Sequence, residues 1–153
     1  MAEQAKAVRM PPRWFVTTAW KVHRGLYRLG GGKRFLWPPG GKRGWGAMQL
    51  TATGRQSGEP RQVILGYLEE GDELAAMAMN GWGDGEPAWW LNLQAHPEAT
   101  VRTVDGVREV RARQAVGEEH DRWWARFAEC DEGLDQYAAL RSTPTAVVVF
   151  GPR

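Results

Sequence analysis

Residues 53–61, Thr-Gly-Arg-Gln-Ser-Gly-Glu-Pro-Arg, place two cations, a hydroxyl group and two glycines within one short turn. Arg55 and Arg61 would offer guanidinium donors, and Gly54 and Gly58 would let backbone N–H groups approach a ligand closely. These are the properties of a binding site for a phosphate or a carboxylate. A solvated polar hairpin loop would have the same composition, so the local sequence leaves both interpretations open.

A second candidate segment, residues 79–93, joins a strand to a helix and is rich in glycine and tryptophan. Glycines before a helix leave its first N–H groups free for an anion or a carbonyl group. Helical spacing puts Trp89 and Asn92 on one face and Trp90 off it, and we expect Trp89 and Leu93 to pack in the core. A polar Asn92 beside them needs a partner, either backbone or ligand, and of the two roles we favour a structural one.

The sequence lacks the motifs that are typical of several classes of function. The motifs G-x-G-x-x-G, G-x-x-x-x-G-K-S/T and H-E-x-x-H are absent, which argues against dinucleotide, nucleoside-triphosphate and zincin sites. The lone Cys130 excludes an internal disulfide and a cysteine-rich zinc site, and no metal is expected. The net charge of +2 does not indicate nucleic acid. Because the sequence has neither an eighteen-residue apolar run nor a secretory signal, we expect a cytoplasmic protein.

The elements that must position these segments are mainly strands. Strand-like patterns predict strands over residues 48–53, 62–68, 73–79, 99–104 and 107–116, and a short apolar run predicts a final strand over residues 145–150. The fourth and fifth are expected to meet in a hairpin at Asp105-Gly106. Helices are predicted over residues 86–95, with Pro87 in the first turn, and over 118–129 and 132–140. This pattern indicates a mainly β protein with α insertions, a small closed or split β-barrel of about six antiparallel strands.

The chain divides into two parts. Residues 46–153 form the barrel domain, and residues 1–45 are predicted to be a basic amphipathic arm followed by a linker rich in glycine and proline. Three roles of the arm are open: it caps the barrel, exchanges onto a partner subunit, or lies on an anionic membrane surface. We favour capping. The expected states are a monomer or a homodimer, with peripheral contact at the inner membrane face as the open alternative.

Residues 50–61, LTATGRQSGEPR, and residues 87–97, PAWWLNLQAHP, closely resemble the deazaflavin-dependent nitroreductase family. The resemblance runs from about residue 47 to the end of the sequence, and the pair of motifs in this order is far more specific than either motif alone. It implies an FMN-binding-like split β-barrel that binds coenzyme F420, usually in actinobacteria. This cofactor is an 8-hydroxy-5-deazaflavin with a phosphate and an oligoglutamate tail, and FMN is the less expected cofactor.

The resemblance also implies site residues. The hairpin loop that starts at Thr53 would clasp the phosphate and tail through Arg55, Gln56, Ser57 and Arg61. The residues that would line the cofactor groove are Ile64, Leu65, Ala78, Met79, Asn80 and Gly81. Trp89 and Asn92 would close the tail end, and Tyr137 would be the catalytic candidate over the substrate. Gln56 and Asn80 stand where the family commonly has lysine, so the site has two fewer cations.

The function implied by the resemblance is hydride transfer from the reduced deazaflavin to a small electrophilic acceptor, which is a quinone, an activated enone or a nitro-compound. The proton would come from Tyr137 or water. An alternative is a non-catalytic carrier or sensor of deazaflavin, flavin or haem in the same groove. A third hypothesis is a binding module that acts through the basic arm, with membrane the expected target and nucleic acid not expected.

Overall fold

A computed structural model describes residues 35–41 and 44–153, so most of the predicted amphipathic arm lies outside the described residues. Six antiparallel strands close into a barrel in the order β1-β2-β3-β6-β5-β4, with β4 pairing back to β1. The strands are β1 (Gly46–Thr53), β2 (Pro60–Glu70), β3 (Glu73–Met77), β4 (Glu98–Thr103), β5 (Gly106–Gln114) and β6 (Val147–Pro152). The predicted six-stranded antiparallel barrel is confirmed.

Helical segments interrupt the barrel at two places. A 3-10 turn (Asn80–Trp82) and α1 (Ala88–Ala95) lie between β3 and β4. Helices α2 (Gly117–Cys130) and α3 (Leu134–Ala139) lie between β5 and β6. Each predicted helix is therefore present, close to its predicted bounds. Among the described residues, no helix is long and apolar enough to cross a membrane.

Most predicted boundaries lie one or two residues from the observed ones, and three of these differences concern the β3–α1 segment and the β4–β5 turn. Helix α1 begins at Ala88, because Pro87 is extended (φ −66°, ψ 146°) and precedes the helix instead of lying in its first turn. Strand β3 ends at Met77, two residues early. The β4–β5 turn consists of Val104 and Asp105, since Gly106 already pairs with Thr103. Gly106 has φ +136°, which glycine adopts without strain, and so it begins β5 instead of completing the turn.

The barrel interior is filled by the inward-pointing side chains of every strand. On β1 the predicted alternation holds, because Met48, Leu50 and Ala52 all lie in this core. Trp90 and Leu93 of α1, one helical turn apart, complete the same core. The prediction that Leu93 packs in the core is confirmed, whereas Trp89, which was also expected there, reaches only the edge of the cluster. Trp90 is 5% exposed, whereas Trp89 is half-buried and packs against the edge of the cluster.

A second apolar cluster joins the outer face of the barrel to the C-terminal helices. Trp123 and Phe127, four residues apart on α2, pack with Val147 and Val149 of β6 and with Leu134 of α3. Burial of one such side chain stabilises the fold by about 1.5–3 kcal/mol. Further ion pairs bind α2 to the barrel surface; the pairs are Arg113–Glu119, Arg122–Glu70 and Arg126–Glu70.

The residues just before β1 pack on the barrel. Leu36 is buried against Ala47 and Ile64 in a third small cluster. The carbonyl of Trp37 accepts the N–H of Ala47 at 2.9 Å, and its indole N–H donates to the carbonyl of Trp45 at 3.0 Å. This short strap covers the outer face of β1, so the start of β1 is buried on both faces.

Candidate functional site

A cleft of about 990 Å³ lies between the β1–β2 loop, the first half of β2 and the first half of α1. Its volume is at the upper end of the range for pockets that enclose a drug-sized or cofactor-sized ligand. The apolar lining residues are Ala52, Pro60, Val63, Ile64, Ala88 and Trp89; the others are Gly54, Arg55, Gln56, Ser57, Arg61, Gln62, Asn80 and Asn92. None of these described lining residues is acidic, so Arg55 and Arg61 give the cleft a net positive charge.

The β1–β2 loop is a tight turn built around one hydroxyl group. Gly54 donates its N–H to the carbonyl of Glu59, and a side chain at Gly54 would meet the Ser57 Oγ at 2.7 Å. Glycine is therefore required for this close approach. The Ser57 Oγ accepts hydrogen bonds from the N–H of Glu59 (3.1 Å) and from Nη2 of Arg61 (3.2 Å). This hydroxyl group thus orients the Arg61 guanidinium at the cleft.

Arg55 is bound to helix α1. The Oδ1 of Asn92 accepts the backbone N–H of Arg55 at 3.1 Å and its Nη1 at 3.0 Å. The partner that Asn92 was expected to need is therefore Arg55 on the other side of the cleft. Trp89 and Asn92 both line the cleft, which confirms that they share a helix face.

The beginning of α1 faces the same cleft. Ala88 and Trp89 are its first two residues, and both line the cleft. The first intrahelical bonds are donated by Trp90 and Leu91, both to the carbonyl of Pro87. The N–H groups of Ala88 and Trp89 consequently have no partner within the helix, which makes this end of α1 attractive to an anion.

The loop between β3 and α1 brings Asn80 to the cleft. Asn80, Gly81 and Trp82 all have positive φ, of 50°, 60° and 61°. A left-handed conformation costs roughly 1 kcal/mol or more at each residue other than glycine, so the surroundings must hold it. The Nδ2 of Asn80 donates to the carbonyls of Asp84 (2.9 Å) and Gly85 (3.2 Å), which fixes the loop from inside.

A buried arginine that is not part of this loop also holds the loop's backbone in place. Arg141, which is 7% exposed, donates to the carbonyls of Ala78 (3.0 Å), Gly83 (2.8 Å) and Gly85 (2.7 Å), and to Oγ1 of Thr145 (2.7 Å). Burial lowers the pKa of Arg141, while the nearby Glu86 and Asp84 carboxylates oppose that shift. The guanidinium remains charged. Sequence reasoning missed Arg141, because an arginine in a polar stretch before a strand carries no signal of burial.

The structure brings together eight of the residues that the family resemblance implied for the site. Those that line the cleft are Arg55, Gln56, Ser57, Arg61, Ile64, Asn80, Trp89 and Asn92. Leu65 and Ala78 instead point into the barrel core, because they follow the inward side of the alternation. Thr53, Met79 and Gly81 are adjacent in sequence to lining residues but are not among them.

Tyr137 lies apart from the described cleft lining. Its ring stacks on Trp82 with centroids 5.8 Å apart and planes 16° from parallel. Trp82 in turn belongs to the strained loop that carries Asn80. The structure thus connects Tyr137 to the cleft through Trp82 and does not place it among the lining residues.

The arrangement can hold a flat ligand that carries an anionic group. The aliphatic and indole side chains suit an aromatic ring, while the arginines and the start of α1 suit a phosphate or carboxylate. Within the part of the chain that the structure describes, no three His, Cys, Asp or Glu side chains cluster as metal ligands would.

Comparisons with known proteins identify the family of the chain. The family model for F420H(2)-dependent quinone reductase matches residues 39–152. A solved structure described as an F420-H2 dependent reductase, FDR-A, is 30% identical, with the match covering 68% of this chain and 92% of that chain at a TM-score of 0.62. A second, described as a domain-swapped dimer, is 27% identical, with coverage of 88% and 98% and a TM-score of 0.66.

More distant structures share the fold alone. The haem storage protein HutZ from Vibrio cholerae is 10% identical, with coverage of 70% and 81% and a TM-score of 0.52. The family match, in contrast, spans well over half of the sequence and includes both motifs and the whole cleft. The chain therefore belongs to the F420H(2)-dependent quinone reductase family of oxidoreductases, which confirms the deazaflavin-dependent resemblance of its sequence.

Proposed function

We propose that this protein binds reduced coenzyme F420 in the cleft and reduces a quinone-class acceptor. The observation that carries the proposal is the convergence of Arg55, Arg61 and the start of α1 on a cleft that also has aliphatic and indole lining. Family membership supports the reductase activity. The choice of a quinone over an enone or a nitro-compound rests on the name of the matching family.

The residues fit the cofactor. The two lining arginines have no carboxylate partner among the described residues, so both charges are available to a phosphate. The N–H groups of Ala88 and Trp89, which have no partner within the helix, add donors at the same end. The Ile64 and Trp89 side chains offer the apolar surface that a deazaflavin ring needs. Gln56 and Asn80 add polar atoms without charge, so we propose that the phosphate contributes more to binding than the acidic tail does.

When bound, the reduced deazaflavin supplies a hydride to the acceptor from its C5 position. The chain contributes binding and orientation: Arg55 and Arg61 hold the anionic end, while Trp89 and Ile64 restrict the ring and exclude water from it. An acceptor oxygen that gains charge also needs a proton. Because Tyr137 stacks on Trp82 and is not part of the described lining, we propose that water delivers this proton.

Single-turnover oxidation of the reduced cofactor tests the proposal. The protein is loaded with reduced F420, mixed with menadione, an enone or a nitroaromatic compound, and followed by the return of the oxidised cofactor's absorbance. Fastest oxidation by menadione would support a quinone reductase. Tight cofactor binding without oxidation by any acceptor would favour the non-catalytic carrier instead.

We also propose that the protein forms a homodimer, since one similar structure is described as a domain-swapped dimer. Light scattering coupled to size exclusion would give the mass directly, against 17.2 kDa for one chain. Membrane contact through the N-terminal arm stays a prediction. Co-sedimentation of the full chain with anionic and neutral liposomes would test it.

A further inference from the structure

Asn92 is a buried polar residue that joins the two sides of the cleft. It is 5% exposed, and its Oδ1 accepts two hydrogen bonds from Arg55, one from the main chain and one from the guanidinium. Two donors on the same atom fix the orientation of the amide, so the Nδ2 is the atom left over. No residue in the described part of the chain accepts a hydrogen bond from it.

Asparagine suits this contact with Arg55 better than aspartate would. An aspartate at position 92 would accept the same two hydrogen bonds and would bind the guanidinium more strongly, but it would neutralise its charge. Asparagine is neutral, so Arg55 is held and remains an uncompensated cation. The guanidinium has five N–H donors, and Asn92 occupies one of them, which leaves donors for a ligand.

We infer that Asn92 is a positioning residue, which holds the Arg55 guanidinium at the cleft as a ready anion donor. The identity of the anion, the phosphate of the cofactor, rests on the proposed function. Arg55 belongs to an exposed turn, and an unrestrained arginine there loses rotamer entropy when it binds a ligand. Asn92 removes that cost before the ligand arrives.

The first test uses no ligand. In protein labelled with ¹⁵N-arginine, the Arg55 side-chain N–H signal is assigned by its loss in Arg55→Lys. Hydrogen exchange of that signal should be at least tenfold faster in Asn92→Ala than in the native protein. Unchanged exchange would overturn the inference, whichever cofactor the protein binds.

The second test measures affinity for F420 and for FMN, which also carries a phosphate. Asn92→Asp should keep the thermal midpoint within a few degrees, because both hydrogen bonds survive, yet lose at least tenfold in affinity. Gln56→Glu is the matched control, since it adds the same charge to the same cleft at a residue with no side-chain bond to Arg55. Gln56→Glu should lose only about twofold to threefold in affinity.

Two outcomes would contradict a positioning role. Equal losses in Asn92→Asp and Gln56→Glu would mean that charge alone matters, and native affinity in Asn92→Asp would mean that Arg55 need not remain an uncompensated cation. A double-mutant cycle gives an independent check, because Asn92→Ala should cost less than twofold once Arg55→Ala is present. Binding of FMN but not F420 would refute the proposed function and leave this inference standing.

Discussion

The two arginines of the cleft are each held by a neutral oxygen atom. Oδ1 of Asn92 holds Arg55, and Oγ of Ser57 holds Arg61. Both contacts orient a guanidinium without cancelling its charge. This arrangement is suited to an anionic ligand, because the ligand then becomes the partner that completes the charge pair.

Arg61→Ala should weaken F420 binding by about tenfold to a hundredfold, since one hydrogen bond to a charged group contributes about 1.5–3 kcal/mol. The loss should shrink at high salt, where a charge contact matters less. Fluorescence titration at low and high salt measures both effects. Ser57→Ala is the control and should lose less, because it frees Arg61 without removing it. Arg61→Ala with an affinity within twofold of native would contradict the account.

Tyr67 lies in the barrel core and is buried, so its ionisation tests the packing of that core. Burial, together with the charges of Glu69 and Asp105, raises the pKa of Tyr67 to about 12. The native state therefore favours the neutral phenol. The contribution of Tyr67 to the free energy of unfolding is complete below pH 10 and is lost as the pH rises from 10 towards about 12. Absorbance at 295 nm should show one late-ionising tyrosine, absent in Tyr67→Phe.

The matched stability measurement compares urea midpoints at pH 8 and pH 11. The native protein should lose more stability between them than Tyr67→Phe does, because the variant has no buried phenol to ionise. If the two proteins lose the same amount, or if no tyrosine ionises late, Tyr67 is not buried as described.

Side-chain roles were predictable where the residue type had a narrow chemical use. The pattern of arginine, serine and glycine in residues 53–61 suited either an anion-binding loop or a solvated hairpin loop, and anion binding stays a prediction. The need of Asn92 for a partner was clear, and the partner is Arg55. The choice between Trp89 and Trp90 was not, because both suit a core and the helix phase is set by how α1 lies on the barrel. Arg141 was missed because its partners are main-chain carbonyls, which have no signature in the sequence.

At the scale of elements, the β3–α1 loop depends on Arg141 for its shape. Replacement by methionine, which keeps the length but removes the donors, should destabilise the fold by about 2–4 kcal/mol, since it leaves buried carbonyls unpaired. Urea unfolding measures the change. Thr145→Val removes one of the four bonds and should cost about 0.5–1.5 kcal/mol. A loss below 0.5 kcal/mol in Arg141→Met would show that the loop holds its shape without this arginine.

The periodicity of the sequence predicted which segments are strands and which are helices. It predicted the first and last residues of these elements less well. Strand-like patterns identified the first five strands and an apolar run the sixth, and the glycine and proline positions identified the breaks between them. The helix start shifted to Ala88 because Pro87 took an extended conformation. The β4–β5 turn shifted because an Asp-Gly pair fits either of two registers, and the pairing of Thr103 with Gly106 selected one.

At the scale of the whole molecule, barrel closure depends on pairings between distant segments. The β1–β2, β2–β3 and β4–β5 pairs are local hairpins that their turns predict. Strands β1 and β4, β3 and β6, and β5 and β6 meet only through the tertiary fold. No local pattern specifies these contacts, so closure was an inference from strand count and from the family resemblance. The same closure brings the β1–β2 loop and α1 together to form the cleft.

The most direct test of the central claim is a titration of the purified full chain with F420 and, separately, with FMN at physiological salt, followed by fluorescence. We expect saturable binding of F420 and much weaker binding of FMN, together with loss of F420 affinity in Arg61→Ala. Binding of FMN alone, or of neither cofactor, would contradict the assignment of this cleft to the deazaflavin.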